Sequence, residues 1–143
     1  MDLKKHSLII NRENGKSDHI VGSDLLKNIH TLDELMNLHA SKILLLSDQT
    51  VFKLYGDAVI QSLRNLEIPI VPSIIQSGES EKSLAGVQKA IVPFFQSGFK
   101  RDAVLICLGG GVITDLGGLI GSLLLRGLKT VYIHSTLLGQ IDA

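Results

Sequence analysis

Short apolar runs alternate with longer segments of helical character along most of the chain. The runs lie at 42–47, 68–75, 103–108 and 129–133. Runs of this length, bounded by turn residues, are typical of buried parallel strands. Helices are predicted between them at 51–66, 84–96 and 116–125. This alternation predicts a layered α/β domain with a largely parallel sheet and right-handed crossovers.

Prolines are predicted to alter the geometry of one strand and one helix. Pro69 and Pro72 limit ladder bonding in the second run, which predicts an edge or irregular strand. Pro93 predicts a kink or an early end in the 84–96 helix. The predicted inward faces of the first two helices comprise Leu54, Ala58, Leu63 and Leu66 in one, and Leu84, Val87, Ile91 and Phe95 in the other.

The first forty residues show weaker patterns. Segments 7–11 and 19–22 are predicted to form a hairpin whose turn contains Asn14 and Gly15. A short helix is predicted over 23–29 with Ser23 as its N-cap. Thr31 and Glu34 stand at capping-box spacing, which predicts a second helix start.

Size and charge exclude several classes of protein. The chain has 143 residues, the length of one domain, and its fourteen basic residues balance fourteen acidic ones. This balance argues against nucleic acid or anionic membranes as partners. The apolar segment 116–125 is shorter than the roughly 20 residues that span a bilayer. Cys107 is the only cysteine and lies in an apolar run, so a buried core role is expected, and a cytoplasmic location is compatible with it.

Polar clusters follow each predicted strand, at 47–50, 76–82, 109–115 and 134–136. Ligands of open parallel sheets bind at the carboxyl ends of the strands. Each cluster also has a structural alternative. Asp48 is either a helix cap or a ribose ligand. In the structural alternative, Glu79 and Lys82 form a solvated ion pair. Ser135 and Thr136 would then be caps of the last segment.

Three consecutive glycines, Gly109 to Gly111, separate the most apolar strand from a helix start. Small residues let an anion approach the backbone, and the helix N-terminus offers free N–H groups and a favourable dipole. Thr114 stands where the common dinucleotide fingerprint requires a third glycine. The glycines further along the helix, Gly117, Gly118 and Gly121, predict close packing against the sheet or a neighbouring chain. No metal-ligand spacing or P-loop occurs in the sequence.

Several motifs together resemble those of 3-dehydroquinate synthase, a sugar-phosphate cyclase. They are the GGGVxxD pattern at 109–115, LRG at 125–127 and TLLxQxD at 136–142. Asp48 and the GExxK pattern at 78–82 also match in order. Three positions depart from the family pattern: Ser135 replaces a threonine, Thr50 an asparagine and Gly139 an alanine.

The resemblance implies a Rossmann-like domain and an enzyme of the shikimate pathway, which leads to chorismate and the aromatic amino acids. Such enzymes convert DAHP, a seven-carbon keto-sugar-acid phosphate, to 3-dehydroquinate with release of phosphate. They use NAD and a divalent metal, zinc or cobalt. The residues that the resemblance assigns to the cofactor are Asp48, Glu79, Lys82, Gly110, Gly111, Val112, Asp115, Ser135, Thr136 and Leu138.

The resemblance also assigns two residues to the substrate. Asp142 would lie at its hydroxyl groups, and Arg126 would bind the substrate phosphate in the neighbouring subunit of a homodimer. A guanidinium suits that task because of its bidentate fork. The alternative for Arg126 is a cation at a helix C-terminus, where it interacts with the dipole.

Residues 1–143 are therefore expected to form an NAD-binding N-terminal domain that is inactive alone. The metal ligands would lie in a helical C-terminal domain beyond Ala143. The alternatives are another sugar-phosphate cyclase, an NAD-dependent metal alcohol dehydrogenase, or a nucleotide-binding module without catalysis.

Overall fold

The N-terminal residues form an antiparallel hairpin. A computed structural model describes residues 5–12, 15–37 and 39–141. Strands β1 (Lys5–Arg12) and β2 (Gly15–Gly22) pair from Lys5 opposite Gly22 to Arg12 opposite Gly15. The predicted hairpin is confirmed, although Asn14 lies outside the described residues.

The central sheet has four parallel strands. They are β3 (Ile43–Asp48), β4 (Ile70–Ile75), β5 (Val104–Gly109) and β6 (Lys129–His134), in the spatial order β4-β3-β5-β6. β3 and β5 are the central pair and are almost completely buried, as their apolar sequences require. β4 is an edge strand, with Pro72 opposite Leu45, so the prediction drawn from its prolines is confirmed.

Six α-helical segments connect or flank the strands in the described ranges. They are α1 (Asp33–Met36), α2 (Gln49–Val51), α3 (Asp57–Arg64), α4 (Leu84–Gln96), α5 (Gly111–Leu123) and α6 (Leu137–Ile141). A π-helical turn (Phe52–Gly56) joins α2 to α3, so residues 49–64 run as one helical segment. The predicted helix at 51–66 therefore exists, shifted two residues towards the N-terminus.

The helices cover the two faces of the sheet. Ile43 and Leu45 of β3 pack with Val59 and Leu63 of α3 on one face. Leu44 and Leu46 face the opposite way, into a core shared with α4 and α5. Successive side chains of a strand point to opposite faces, so four consecutive apolar residues serve both cores.

This arrangement creates a topological switch point. The helical segment after β3 and the helix after β5 lie on opposite faces, while the two strands are neighbours. The crevice beyond the carboxyl ends of such a pair is where open α/β sheets bind ligands.

One N-terminal helix prediction is wrong, and a second is correct in its location but not in its cap residue. Residues 23–29 do not form an α-helix capped by Ser23. Two 3-10 turns, Leu25–Lys27 and Ile29–Thr31, occupy this part of the chain instead. Thr31 is not the N-cap of α1 either. The cap position is Leu32, and the Thr31 hydroxyl instead donates to the carbonyl oxygen of Asn28 at 2.8 Å. The Thr31 hydroxyl thus satisfies a local turn, which competes with helix capping.

The predicted inward faces are only partly correct. Leu54, Leu84 and Phe95 are exposed. The buried positions of α4 include Gly86 and Ala90. The predicted face follows the large apolar residues and therefore misses these small ones. α4 also continues past Pro93 to Gln96, so the early end predicted there does not occur.

α5 begins at Gly111, five residues before its predicted apolar segment, and ends at Leu123. Its buried stripe comprises Ile113, Leu116, Gly117, Ile120 and Gly121, an i, i+3, i+4 pattern. Cys107 lies buried beneath it, and burial raises the pKa of this thiol to about 12. The thiol is therefore a neutral core group, as the sequence predicts.

Within the described ranges, no helix is both long enough and apolar enough to cross a membrane.

Candidate functional site

The N-terminus of α5 is open towards the carboxyl edge of the sheet. Gly110 occupies the cap position, and no side chain caps the helix. The first intrahelical bond runs from Thr114 N to Gly110 O at 3.0 Å. The amide N–H groups of Gly111, Val112 and Ile113 therefore have no carbonyl partner within the helix. Such a set of donors, with the helix dipole behind it, suits an anionic group such as phosphate.

The three glycines of this cluster serve different purposes. A Cβ on Gly109 would lie 2.5 Å from Cβ of Ile113, and one on Gly110 would lie 3.1 Å from Cγ2 of Thr136. A Cβ on Gly111 would meet nothing within 4 Å. Packing within the chain thus accounts for Gly109 and Gly110 but gives no reason for Gly111, which faces open space at the helix start.

Asp48 ends β3 and caps the helix that follows. Its Oδ1 atom accepts hydrogen bonds from Thr50 N at 2.9 Å and Val51 N at 3.0 Å. Ser77 Oγ donates to the same atom at 2.7 Å. The cap interpretation is confirmed, and Oδ2 has no hydrogen-bond partner among the described residues. One side chain can therefore cap the helix through Oδ1 and accept from a ligand through Oδ2.

Ser77 is a site residue that the sequence analysis did not single out. It follows the β4 strand, whose Ile75 lies opposite Asp48, so the parallel register brings the two residues together. Ser77 Oγ also lies 2.7 Å from Thr50 Oγ1. The signal was available in principle, since neighbouring parallel strands end at the same edge.

Lys82 joins two of the other predicted residues. Its Nζ atom contacts Oδ2 of Asp115, on the second turn of α5, and lies 3.6 Å from Oε1 of Glu79. The hydrogen bond and charge of Asp115, with a contribution from Glu79, raise the pKa of Lys82 above its ordinary value. The predicted Glu79–Lys82 pair is confirmed, and Asp115 makes it a three-residue cluster beside the glycines.

Residues after β6 form the remaining wall. Ser135 N donates to Gly109 O at 2.9 Å, and Thr136 Oγ1 accepts from Gly139 N at 3.1 Å, as predicted for a cap. Ser135 Oγ is buried without a hydrogen-bond partner in the described structure. Leu138 is 72% exposed. A bound molecule could form a hydrogen bond with the buried hydroxyl and cover the exposed leucine.

His134 lies at the same edge, opposite Gly109 in the sheet. Burial, followed by the charge of His19, lowers the pKa of His134, so its imidazole is neutral at pH 7. The Tyr132 and His134 rings stack with their centroids 6.0 Å apart.

Of the residues assigned to the substrate, Arg126 does not join this cluster. Arg126 precedes β6 and therefore lies at the amino edge of the sheet, where it is exposed in a left-handed conformation with φ of 69°. Asp142 lies outside the described residues. Where the chain is described, no group of three or more His, Cys, Asp or Glu side chains lies together to hold a metal ion.

The fold and the site define an α/β domain with an uncapped helix N-terminus at the switch point of its sheet, the arrangement of nucleotide-binding domains. A family model described as 3-dehydroquinate synthase N-terminal matches residues 72–143. The chain belongs to the 3-dehydroquinate synthase family, whose members are enzymes of the sugar-phosphate cyclase type.

Curated relatives agree with this assignment. A 3-dehydroquinate synthase of Alkaliphilus oremlandii is 36% identical over 86% of this chain and 33% of its own length. The protein of that name from Leuconostoc citreum is 43% identical over 71% of this chain and 28% of its own length. One from Prochlorococcus marinus is 31% identical over 100% of this chain and 39% of its own length. The chain thus spans about a third of the length of these relatives.

Solved structures support the fold. A 2-deoxy-scyllo-inosose synthase complexed with carbaglucose-6-phosphate, NAD⁺ and Co²⁺ gives a TM-score of 0.84 at 18% identity, over 94% of this chain and 36% of that one. A 2-epi-5-epi-valiolone synthase from Streptomyces hygroscopicus with NAD⁺ and Zn²⁺ bound gives a TM-score of 0.56 at 31% identity. The match covers 66% of this chain and 26% of that one. The predicted layered α/β domain is therefore confirmed.

Proposed function

We propose that this chain is the NAD-binding portion of a 3-dehydroquinate synthase, which converts DAHP to 3-dehydroquinate and phosphate. Membership of the family supports the reaction. The observation that carries cofactor binding is the open backbone at Gly111, because packing within the chain does not explain that glycine.

The residues present fit a dinucleotide. Gly110, Gly111 and Val112 would hold the pyrophosphate on the free N–H groups of α5, where the side chain of a larger residue would intrude. Asp48 would accept from a ribose hydroxyl through Oδ2 while Oδ1 keeps the helix cap. NAD supplies a hydride acceptor that later returns the hydride, which suits a reaction that is redox-neutral overall.

The remaining predicted residues would line the same cofactor site. The Glu79–Lys82–Asp115 cluster presents charged hydrogen-bonding groups beside the helix start. Ser135, Thr136 and Leu138 offer a hydroxyl wall and an exposed apolar surface on the other side. These groups would orient the cofactor and exclude water from its face.

The whole enzyme needs more than this cleft. The divalent metal, zinc or cobalt by the resemblance, would be held by a following helical domain. Asp142 would contact the substrate hydroxyls, and Arg126 would bind the substrate phosphate in the partner subunit of a homodimer. A cytoplasmic location completes the proposal.

Titration of the ¹⁵N-labelled chain with NAD tests the cofactor proposal. We expect weak binding, in the micromolar range or above, with amide shifts concentrated at Gly110, Gly111 and Val112. Asp48→Asn keeps an oxygen for the cap but replaces Oδ2 with a donor, so it should raise Kd about tenfold with little loss of stability. NAD shifts confined to other surfaces, or no shifts at millimolar NAD, would contradict the proposal.

A further inference from the structure

A buried carboxylate, Glu81, directly precedes Lys82 of the Glu79–Lys82–Asp115 cluster. Glu81 ends the 3-10 turn Glu79–Glu81 and is only 5% exposed. Its Oε1 and Oε2 atoms lie 3.2 and 3.4 Å from Nζ of Lys89, on α4. Among the described residues, Lys89 is its only salt-bridge partner. A carboxylate this buried depends on that partner, since an unpaired buried charge is strongly destabilising.

The backbone of the same turn is also fixed to α4. A Cβ on Gly86 would lie 1.8 Å from the carbonyl oxygen of Glu81, so only glycine permits this approach. That carbonyl accepts from Ser83 N at 2.8 Å, and Ser83 Oγ caps α4 through Gly86 N at 3.2 Å. The turn is therefore held to the helix through both its main chain and its Glu81 side chain.

Lys82 is the next residue and carries the ion pairs to Glu79 and Asp115. Its side chain is 45% exposed, so nothing in its own burial fixes its direction. Long exposed side chains lose rotamer entropy when they form ion pairs, and such pairs contribute little unless their geometry is well defined. The fixed turn supplies that condition.

We propose that Glu81 and Lys89 are positioning residues, which hold the turn so that Lys82 stands over Asp115 at the cofactor cleft. The ion pair acts through Lys82 and does not touch the cofactor. The effect on NAD rests on the proposed function, whereas the effect on Lys82 does not.

Lys89→Met removes the cation and keeps the apolar stem. We expect it to raise Kd for NAD roughly three- to tenfold. Lys89→Arg should restore affinity, and Lys53→Met, on the exposed π turn, should leave it unchanged. In a Lys82→Met background, Lys89→Met should add no further loss, because its effect passes through Lys82. A lower Tm with Kd unchanged within twofold would reduce the pair to a structural role and overturn the proposal.

A second measurement does not depend on NAD. ¹³Cε NMR of Lys82 follows its pKa, which Asp115 raises. In Lys89→Met that pKa should fall back towards 10.5, and an unchanged value would overturn the proposal even if NAD fails to bind. If Lys89→Met does not fold, Glu81→Leu with Lys89→Met leaves no buried charge and should show the same loss.

Discussion

Gly111 separates the requirements of packing from those of binding. It is the first residue of α5 and has open space where a side chain would be. Its φ is not in the left-handed region, so alanine can adopt the same backbone conformation. A methyl group at this position would nevertheless occupy the approach to the free N–H groups.

Gly111→Ala should therefore weaken NAD binding at least tenfold while leaving the fold intact. Stability should be unchanged or higher by up to ~1 kcal/mol, because alanine favours helix over glycine. Thermal unfolding and the NMR titration measure the two effects on one sample.

Gly109→Ala is the matched control, since its Cβ would overlap Ile113. It should lose about 1–3 kcal/mol of stability. If Gly111→Ala were as destabilising as Gly109→Ala, the open space at Gly111 would not be a binding surface.

At the scale of elements, α5 approaches strands β5 and β6 closely because two of its inward positions are glycine. A Cβ on Gly117 would lie 2.2 Å from Sγ of Cys107, and one on Gly121 would lie 2.4 Å from Oγ1 of Thr130. The sequence prediction of close packing against the sheet is therefore confirmed at these two positions.

Gly117→Ala should destabilise the chain by about 1–3 kcal/mol through overpacking. Cys107→Ala removes the sulfur atom, so the double variant should recover at least ~1 kcal/mol relative to Gly117→Ala alone. Denaturant unfolding of the four proteins in this cycle measures the coupling. Additive effects would show that the sulfur is not the obstacle.

The sequence predicts most elements of this fold because their signals are local. Pro69 and Pro72 identify the edge strand, and the rule for parallel strands places Asp48 and the glycines at one rim. The failures have physical causes. Gly86 and Ala90 bury small surfaces that apolar periodicity overlooks, and Thr31 satisfies a turn in place of a cap. The Asp48–Ser77 contact follows from strand register, and the Glu81–Lys89 pair follows from the packing of a turn on α4. Apolar periodicity contains neither signal.

At the scale of the whole molecule, Arg126 is separated from the proposed cofactor site by the length of α5. Thirteen helical residues span about 20 Å, so one chain presents Arg126 and Gly111 at opposite edges of its sheet. Leu125 and Arg126 both have positive φ, at 49° and 69°. Such conformations cost of order 1–3 kcal/mol each and are concentrated at functional sites. Both observations fit an arginine that serves a neighbouring subunit.

Arg126→Ala should accordingly leave NAD affinity of the 143-residue chain unchanged within twofold. In a full-length enzyme it should lower kcat/KM for DAHP by two or more orders of magnitude, since an Arg–phosphate contact is lost. Calorimetry and a phosphate-release assay measure the two quantities. A large loss of NAD affinity would place Arg126 at the cofactor of its own chain.

The 143-residue chain by itself should release no phosphate from DAHP, with or without added zinc or cobalt. Under the proposed function, the metal ligands would belong to a following domain. Zinc-dependent turnover by the isolated chain would contradict this assignment. Mixing the chain with a separately produced C-terminal portion is the positive control.

The central position of β3 has a consequence for synthesis on the ribosome. Its partner on one side, β5, follows much later, and Ser47 Oγ bonds to Leu108 O across 61 residues. At about 5–20 residues per second, that interval lasts roughly 3–12 s. Throughout it, the nascent chain carries four consecutive apolar residues, Ile43 to Leu46, on a strand with at least one open edge. Open edges of this kind pair with other chains, so crowded polysomes and slow codons between β4 and β5 should favour aggregation of this protein.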